Sequence, residues 1–287
     1  MKSIDLHSHT TVSDGHLAPK ELIKRAKAKG VEVLSITDHD TVAAYQQLAD
    51  IKLDGLILIP GVEFSTQWRG GGVHIVGLNL NLDSLAIKEA VAQQEKARAE
   101  RALLIAERLL KARCAINFQR VEEIANHSHI GRPHFAQHLV ELGLVKNISM
   151  AFKKYLGNGK VGDVKQCWAE VDQIVHWITE AGGVAVLAHP LKYKMTRTKL
   201  SALLDDFIAA GGRGMEVVSG QQTKDETRVL ARLCIEKGLL ASCGSDFHQP
   251  SQWSEIGAMS AFPEECQPVW SEWSEVNNYL TETRFSA

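Results

Sequence analysis

Apolar and polar positions follow two alternating rhythms along this chain. Short apolar runs of strand length occur at Ser3–Leu6, Val31–Thr37, Leu56–Ile59, His74–Leu78, Val184–Ala188, Met215–Val218 and Leu239–Cys243. Between them, Lys20–Lys29, Thr41–Ala49, Lys199–Ala209 and Lys224–Lys237 carry helical patterns. Pro19 suits the first turn of the first helix and Gly30 lies just past its end. This strand–helix alternation predicts an α/β fold on a parallel sheet, open or closed into a barrel.

The rhythm breaks between Arg98 and Lys165. A long helix, roughly Ser84–Arg113, leads into shorter ones near Gln119–Asn126, Pro133–Leu142 and Ile148–Tyr155, with no strong strand. Residues 98–165 therefore read as a helical insert domain. It would interrupt a discontinuous barrel domain made of residues 1–97 and 166–287. Charge separates the two parts as well. The insert holds 12 Lys and Arg against 6 Asp and Glu, and the remainder holds 20 against 28. A basic insert covering an acidic barrel suits an anionic substrate; the plain alternative is a solvated helical surface.

Composition narrows the class. The chain has 287 residues, 45% of them hydrophobic and 23% charged, enough to bury a full core. A net charge of −2 excludes a polycation that coats nucleic acid. Five scattered cysteines with no C-x-x-C pair read as reduced thiols, which argues against a cysteine zinc site and for a cytoplasmic protein. No signal-peptide core and no run of 18 apolar residues is present, so no membrane association is expected. Nothing points to an obligate protein partner.

The chemistry sits where the strands end. His7 and His9 form an H-x-H after the first strand, and alternate residues of an extended chain point the same way. Asp14 follows in Ser13-Asp14-Gly15, and His39 lies in Thr37-Asp38-His39-Asp40 after the second strand. Glu63 follows the third strand, His74 opens the fourth, and His189, Asp246 and His248 come directly after later strands. In parallel β/α folds those ends gather at one face, where active sites form. Imidazoles and carboxylates without thiolates suit Mn, Fe or Zn. Nine such side chains exceed one ion's needs, so a cluster of two or three divalent ions, Mn foremost, is expected. Such ions lower the pKa of bound water and offset phosphoryl charge, which favours attack at phosphorus. No side chain is assigned as the catalytic acid or base. His16, His127, His129, His138 and His176 fall outside the pattern and read as surface or helix residues.

Taken in order, Asp5-Leu6-His7-Ser8-His9, Ser13-Asp14-Gly15, Thr37-Asp38-His39-Asp40-Thr41, Gly61-Val62-Glu63-Phe64-Ser65, His74, Ala188-His189-Pro190 and Gly244-Ser245-Asp246-Phe247-His248 resemble the polymerase-and-histidinol-phosphatase (PHP) superfamily. The resemblance implies a distorted (β/α)7 barrel with metals at its mouth. It also implies an assignment: His7, His9, Glu63 and Asp246 on one ion, Glu63 bridging to a second with His74 and His189, and Asp14, His39 and His248 on a third. Arg98-Ala99-Glu100-Arg101 and Gly131-Arg132-Pro133-His134 make the chain most similar to the 3′,5′-nucleoside bisphosphate phosphatases and 5′-to-3′ exoribonucleases of that superfamily.

That similarity makes Arg98, Arg101, Arg132 and His134 candidate substrate-binding residues. Arginine grips phosphate through a planar fork, and a turn opening a helix favours anions. The expected substrates are nucleoside bisphosphates, short 5′-phosphorylated RNA, or both. A phosphatase acting on histidinol phosphate or another small metabolite is one alternative; a non-catalytic metal-bound module is another.

Overall fold

The computed structural model describes residues 3–126, 130–164 and 167–282. His127, His129 and the insert's expected boundary at 165–166 lie outside them. Seven strands form one sheet in sequence order: β1 Ser3–Asp5, β2 Val31–Ile36, β3 Ile57–Trp68, β4 Gly71–Leu78, β5 Val184–Leu187, β6 Gly214–Ser219 and β7 Leu240–Gly244. Beyond β1 and β7 the chain brings the sheet edges together. The Leu6 N–H donates to the Cys243 carbonyl at 3.1 Å, and the His9 N–H to the Phe247 carbonyl at 2.9 Å. The result is a nearly closed seven-stranded α/β barrel.

The sheet is not wholly parallel, as the strand–helix rhythm predicts; β4 runs antiparallel to both β3 and β5. Only Arg69 and Gly70 separate β3 from β4, whereas a parallel crossover takes about a dozen residues or more. Both turn residues adopt left-handed φ, 47° and 72°, the conformation of a tight hairpin. β3 is also three times the length read from the sequence, because Pro60 and Gly61 look like a terminus. The Tyr45 hydroxyl bridges that point, accepting from the Gly61 N–H at 2.8 Å beside the Ile36 and Ile59 carbonyls. Glu63 and His74 consequently sit inside paired strands.

Helices α1 (Pro19–Ala28), α2 (Ala43–Gln47), α7 (Val171–Glu180), α8 (Arg197–Ala209) and α9 (Lys224–Glu236) surround the barrel. Helix α3 (Leu85–Lys111) starts against it, with Ile87 and Ala90 in the same apolar cluster as Val62, Phe64 and Ile174. Its second half enters a separate cluster, where Ile105 and Leu109 meet Val121, Phe135, Leu139 and Leu156. That cluster is built with α4 (Phe118–Ala125), α5 (Arg132–Glu141), α6 (Ile148–Ala151) and the turn after it. One continuous helix thus ties the second cluster to the barrel. Helix α10 (Ser274–Glu282) completes the described chain.

Candidate metal centre and phosphate cleft

All nine predicted ligands converge at the barrel mouth, around Glu63. Its Oε2 lies 3.2 Å from His7 Nε2, 3.2 Å from His9 Nε2 and 3.1 Å from His39 Nδ1. Its Oε1 lies 2.7 Å from His74 Nδ1 and 2.8 Å from His189 Nε2. Asp246 Oδ1 is 3.4 Å from His9 Nε2 and 3.5 Å from His248 Nδ1. Asp14 reaches His248 Nε2 at 3.4 Å and His39 Nε2 at 3.8 Å.

Backbone conformation aims several of these groups. Asp40, His189 and Asp246 take φ of 56°, 28° and 53°, left-handed values that cost L-residues roughly 1–2 kcal/mol. Gly244 lets β7 pass His7, since a Cβ there would stand 2.2 Å from the His7 Cβ. Three buried carboxylates fix the loops. Asp38 accepts from the Thr10 N–H at 2.7 Å and the Ser13 hydroxyl at 2.6 Å, shaping the H-x-H loop. Asp5 accepts from the Ser245 N–H at 2.8 Å and holds the Asp246 loop. Asp40 accepts from the Ser65 N–H at 2.7 Å on β3.

The donor set fits divalent cations. Buried His9 Nδ1, His39 Nδ1, His189 Nδ1 and Glu63 Oε2 have no hydrogen-bond partner, although the imidazoles crowd the carboxylate. Buried polar atoms in folded proteins are mostly paired, so the facing orphans His39 Nδ1 and Glu63 Oε2, 3.1 Å apart, mark a cation site. Four overlapping groups of potential ligands result: His9, Asp14, His39 and His248; His7, His9 and Asp246; His7, Glu63 and His189; His39, Glu63 and His74.

Protonation favours binding as well. Burial pushes His39 well below the usual imidazole range, and His189 down to about 4 against the pull of Glu63. Burial would raise the Glu63 carboxyl, but His39, His7 and His74 hold it well below the usual carboxylate range. His7 differs: burial opposes its charge, yet Glu216 and Glu63 hold it up to about 10.

Sequence reasoning misses Glu216. It is buried on β6, 2.6 Å from His7 Nδ1, and its other oxygen accepts the His189 N–H at 2.6 Å. A carboxylate on the far nitrogen of a ligand histidine fixes its tautomer and orientation. The available signal is a lone Glu inside the apolar run Met215–Val218.

Seven of the nine side chains, all but the fully buried His7 and His9, border a cleft of about 740 Å³ between barrel and insert. Arg98, Arg101 and Arg132 line its insert side. Arg98 and Arg101 are 8% and 6% exposed, so neither lies on a solvated face. Arg98 is tied to Asp40, with Nε and Oδ2 2.7 Å apart. Arg101 Nε donates to the Val164 carbonyl at 2.7 Å, and both guanidiniums stack near Trp168, 5.3 and 5.1 Å from the ring centre. Burial, with Arg132 and Arg98 nearby, pulls Arg101 down to about 9. His134 is placed differently. Its Nδ1 accepts the Gly131 N–H at 2.9 Å, capping α5, and its ring lines a second cleft next to Asp14 and His248. His138 is buried in α5, where its Nε2 accepts the Asn117 N–H at 3.1 Å; His16 and His176 are exposed. The five cysteines are unpaired, and no described helix is long and apolar enough to cross a membrane.

A nearly closed seven-stranded barrel with a His/Asp/Glu cluster suited to metal ions at its mouth defines a class of metal-dependent hydrolase folds. The chain belongs to the PHP domain family, whose match covers residues 5–183. It is 43% identical over 273 residues to a 5′-3′ exoribonuclease of Haemophilus influenzae, covering 94% of this chain and 99% of that one. It is 40% identical over 275 residues to a 3′,5′-nucleoside bisphosphate phosphatase of Chromobacterium violaceum, covering 95% and 96%. A solved structure from Chromobacterium violaceum, described as an amidohydrolase with bound sulfate, matches with a TM-score of 0.86 at 39% identity over 96% of each chain.

Proposed function

We propose that this chain is a phosphoesterase for substrates carrying a second phosphate near the one attacked: nucleoside 3′,5′-bisphosphates and 5′-phosphorylated RNA ends. The observation that carries this reading is one cleft holding both the Glu63-centred cluster and, on its insert wall, Arg98, Arg101 and Arg132. Three converging guanidiniums, one with its charge already disfavoured by burial and its neighbours, gain most from an anion among them. One relative's name specifies a nucleoside carrying two phosphates, and the other's specifies RNA digested in the 5′-to-3′ direction.

His7, His9, Asp14, His39, Glu63, His74, His189, Asp246 and His248 would hold the ions, with Glu63 as the bridge and manganese suited to the thiolate-free set. Bound ions supply an activated water at neutral pH and offset charge on the phosphoryl oxygens. The chain's own residues do the rest. Glu216 fixes His7 and the His189 backbone, so two ligands are oriented by one buried carboxylate. The arginines hold the second phosphate and so place the reacting one over Glu63, reducing the entropy cost of reaction. In the overall step, water oxygen bonds to phosphorus, the phosphorus–ribose oxygen bond breaks and the leaving oxygen takes a proton. A cytoplasmic setting fits the five unpaired cysteines.

The test is a Mn²⁺-supplemented panel of adenosine 3′,5′-bisphosphate, 5′-phosphorylated and 5′-hydroxyl RNA, and histidinol phosphate. The expected result is phosphate release from the bisphosphate and mononucleotide release from 5′-phosphorylated RNA, with the other two turned over far more slowly. Equal rates on both RNAs, with histidinol phosphate the best substrate, would refute the reading.

A further inference from the structure

The cleft has a second set of basic residues besides the three arginines, forming a barrel wall. It is formed by Arg69 at the β3–β4 hairpin tip and by Lys192, Lys194 and Lys199 after β5. These residues stand on the barrel, outside the basic insert. Arg69 is tied to Asp206 at 2.9 Å and Lys192 contacts Asp246. Lys194 and Lys199 are exposed, and no described residue pairs with either ammonium.

Local structure gives these two lysines no stabilising task. Lys194 adopts φ of 52°, left-handed and unfavourable for an L-residue, at the end of the short turn Pro190–Tyr193. Tyr193 fixes that turn: its hydroxyl donates to the Ala188 carbonyl at 2.7 Å and accepts the His74 N–H at 2.9 Å. Lys199 lies in the first turn of α8, beside Arg197 and with no acidic residue there. Helix dipoles disfavour cations at that end. Arg197 is answered by Glu236 at 2.7 Å; Lys199 is not answered. Both lysines are thus held, against local preference, on the wall of a cleft already built for phosphate. Three consecutive glycines, Gly70 to Gly72, leave the adjoining lip without side chains.

We propose that Lys194 and Lys199 bind the RNA backbone downstream of the scissile bond, an inference that rests on the function proposed above. The terminal 5′ phosphate sits among Arg98, Arg101 and Arg132, and the next phosphate lies over Glu63. The rest of the strand leaves across the lysine wall. This order across the cleft gives the 5′-to-3′ direction of digestion. A nucleoside bisphosphate fills only the first two positions, so it never reaches the lysines.

The experiment compares the Mn²⁺-supplemented protein with Lys194→Ala/Lys199→Ala on two substrates, alongside Gln47→Glu/Gln137→Glu, exposed glutamines that line the second cleft with His134. For the lysine variant, KM for a 5′-phosphorylated ten-nucleotide RNA is expected to rise about tenfold at 0.15 M salt. The salt slope of log Kd, read by fluorescence anisotropy, is expected to flatten by about 1.4, or about 0.7 per lost phosphate contact. KM and kcat for adenosine 3′,5′-bisphosphate stay unchanged. Unchanged RNA parameters in the lysine variant, or loss confined to the glutamine variant, overturn the proposal while leaving the bisphosphate reading intact. A wild-type protein inactive on both substrates refutes the underlying reading instead; the anisotropy slope then still decides whether the lysines hold RNA.

Discussion

At the scale of single residues, Glu63 and Glu216 divide the work of the site. Five histidine nitrogens lie within 3.2 Å of the Glu63 carboxylate. Glu216 faces the same centre from behind, through His7 Nδ1 and the His189 N–H. Glu216→Gln is expected to weaken metal affinity by about 10- to 100-fold, the usual cost of removing such a partner. Competition with a fluorescent chelator measures this, and an unchanged affinity would show that Glu216 only fills space. Most of the nine candidate ligands are legible in the sequence because they directly follow apolar strands. Glu216 is not, because it lies within a strand and looks like one polar position in a core run. Arg98 is legible as a basic residue, but its buried partner Asp40 is 58 positions away and only the fold brings them together.

Element-scale structure decides how the insert is held. Strand and helix positions from Val184 to Cys243 follow the apolar rhythm closely, and α5 opens at Arg132 as its Gly-x-Pro turn predicts. The strand order and the reversal of β4 do not follow, because they depend on a two-residue hairpin and on Tyr45 bridging the Pro60 break. Helix α7 stays unassigned by sequence analysis, although Val171, Ile174, Val175 and Ile178 carry helical spacing and are buried. On α3, Arg98 bonds Asp40 of the β2–α2 loop, so this pair couples insert to barrel. Arg98→Ala leaves Asp40 buried without its cation and is expected to cost about 3–5 kcal/mol, the loss typical of breaking a buried pair. A shift in the urea midpoint at unchanged m-value measures it. A change under about 1 kcal/mol would mean that the Ser65 N–H and the Gln94 amide, which donates to Asp40 Oδ1 at 2.8 Å, alone satisfy Asp40.

Across the whole molecule, the charge split seen in the sequence takes a spatial form. The acidic barrel places Asp14, Glu63 and Asp246 at the mouth, and the insert adds three arginines to the same cleft. The insert's basic character is concentrated on that wall only in part; Arg120 and Lys111, for example, pair with glutamates on the outer surface. What the sequence could not show is the second basic wall, because its lysines belong to the acidic part of the chain. The central claim is that the Glu63 cluster binds divalent cations and that phosphoester hydrolysis depends on them. The most direct test is phosphate release from adenosine 3′,5′-bisphosphate by protein stripped of metal, with metal content verified, before and after adding Mn²⁺. The account expects no activity in the stripped protein, recovery on addition, and no recovery in Glu63→Gln. Full activity in the verified metal-free protein would contradict it.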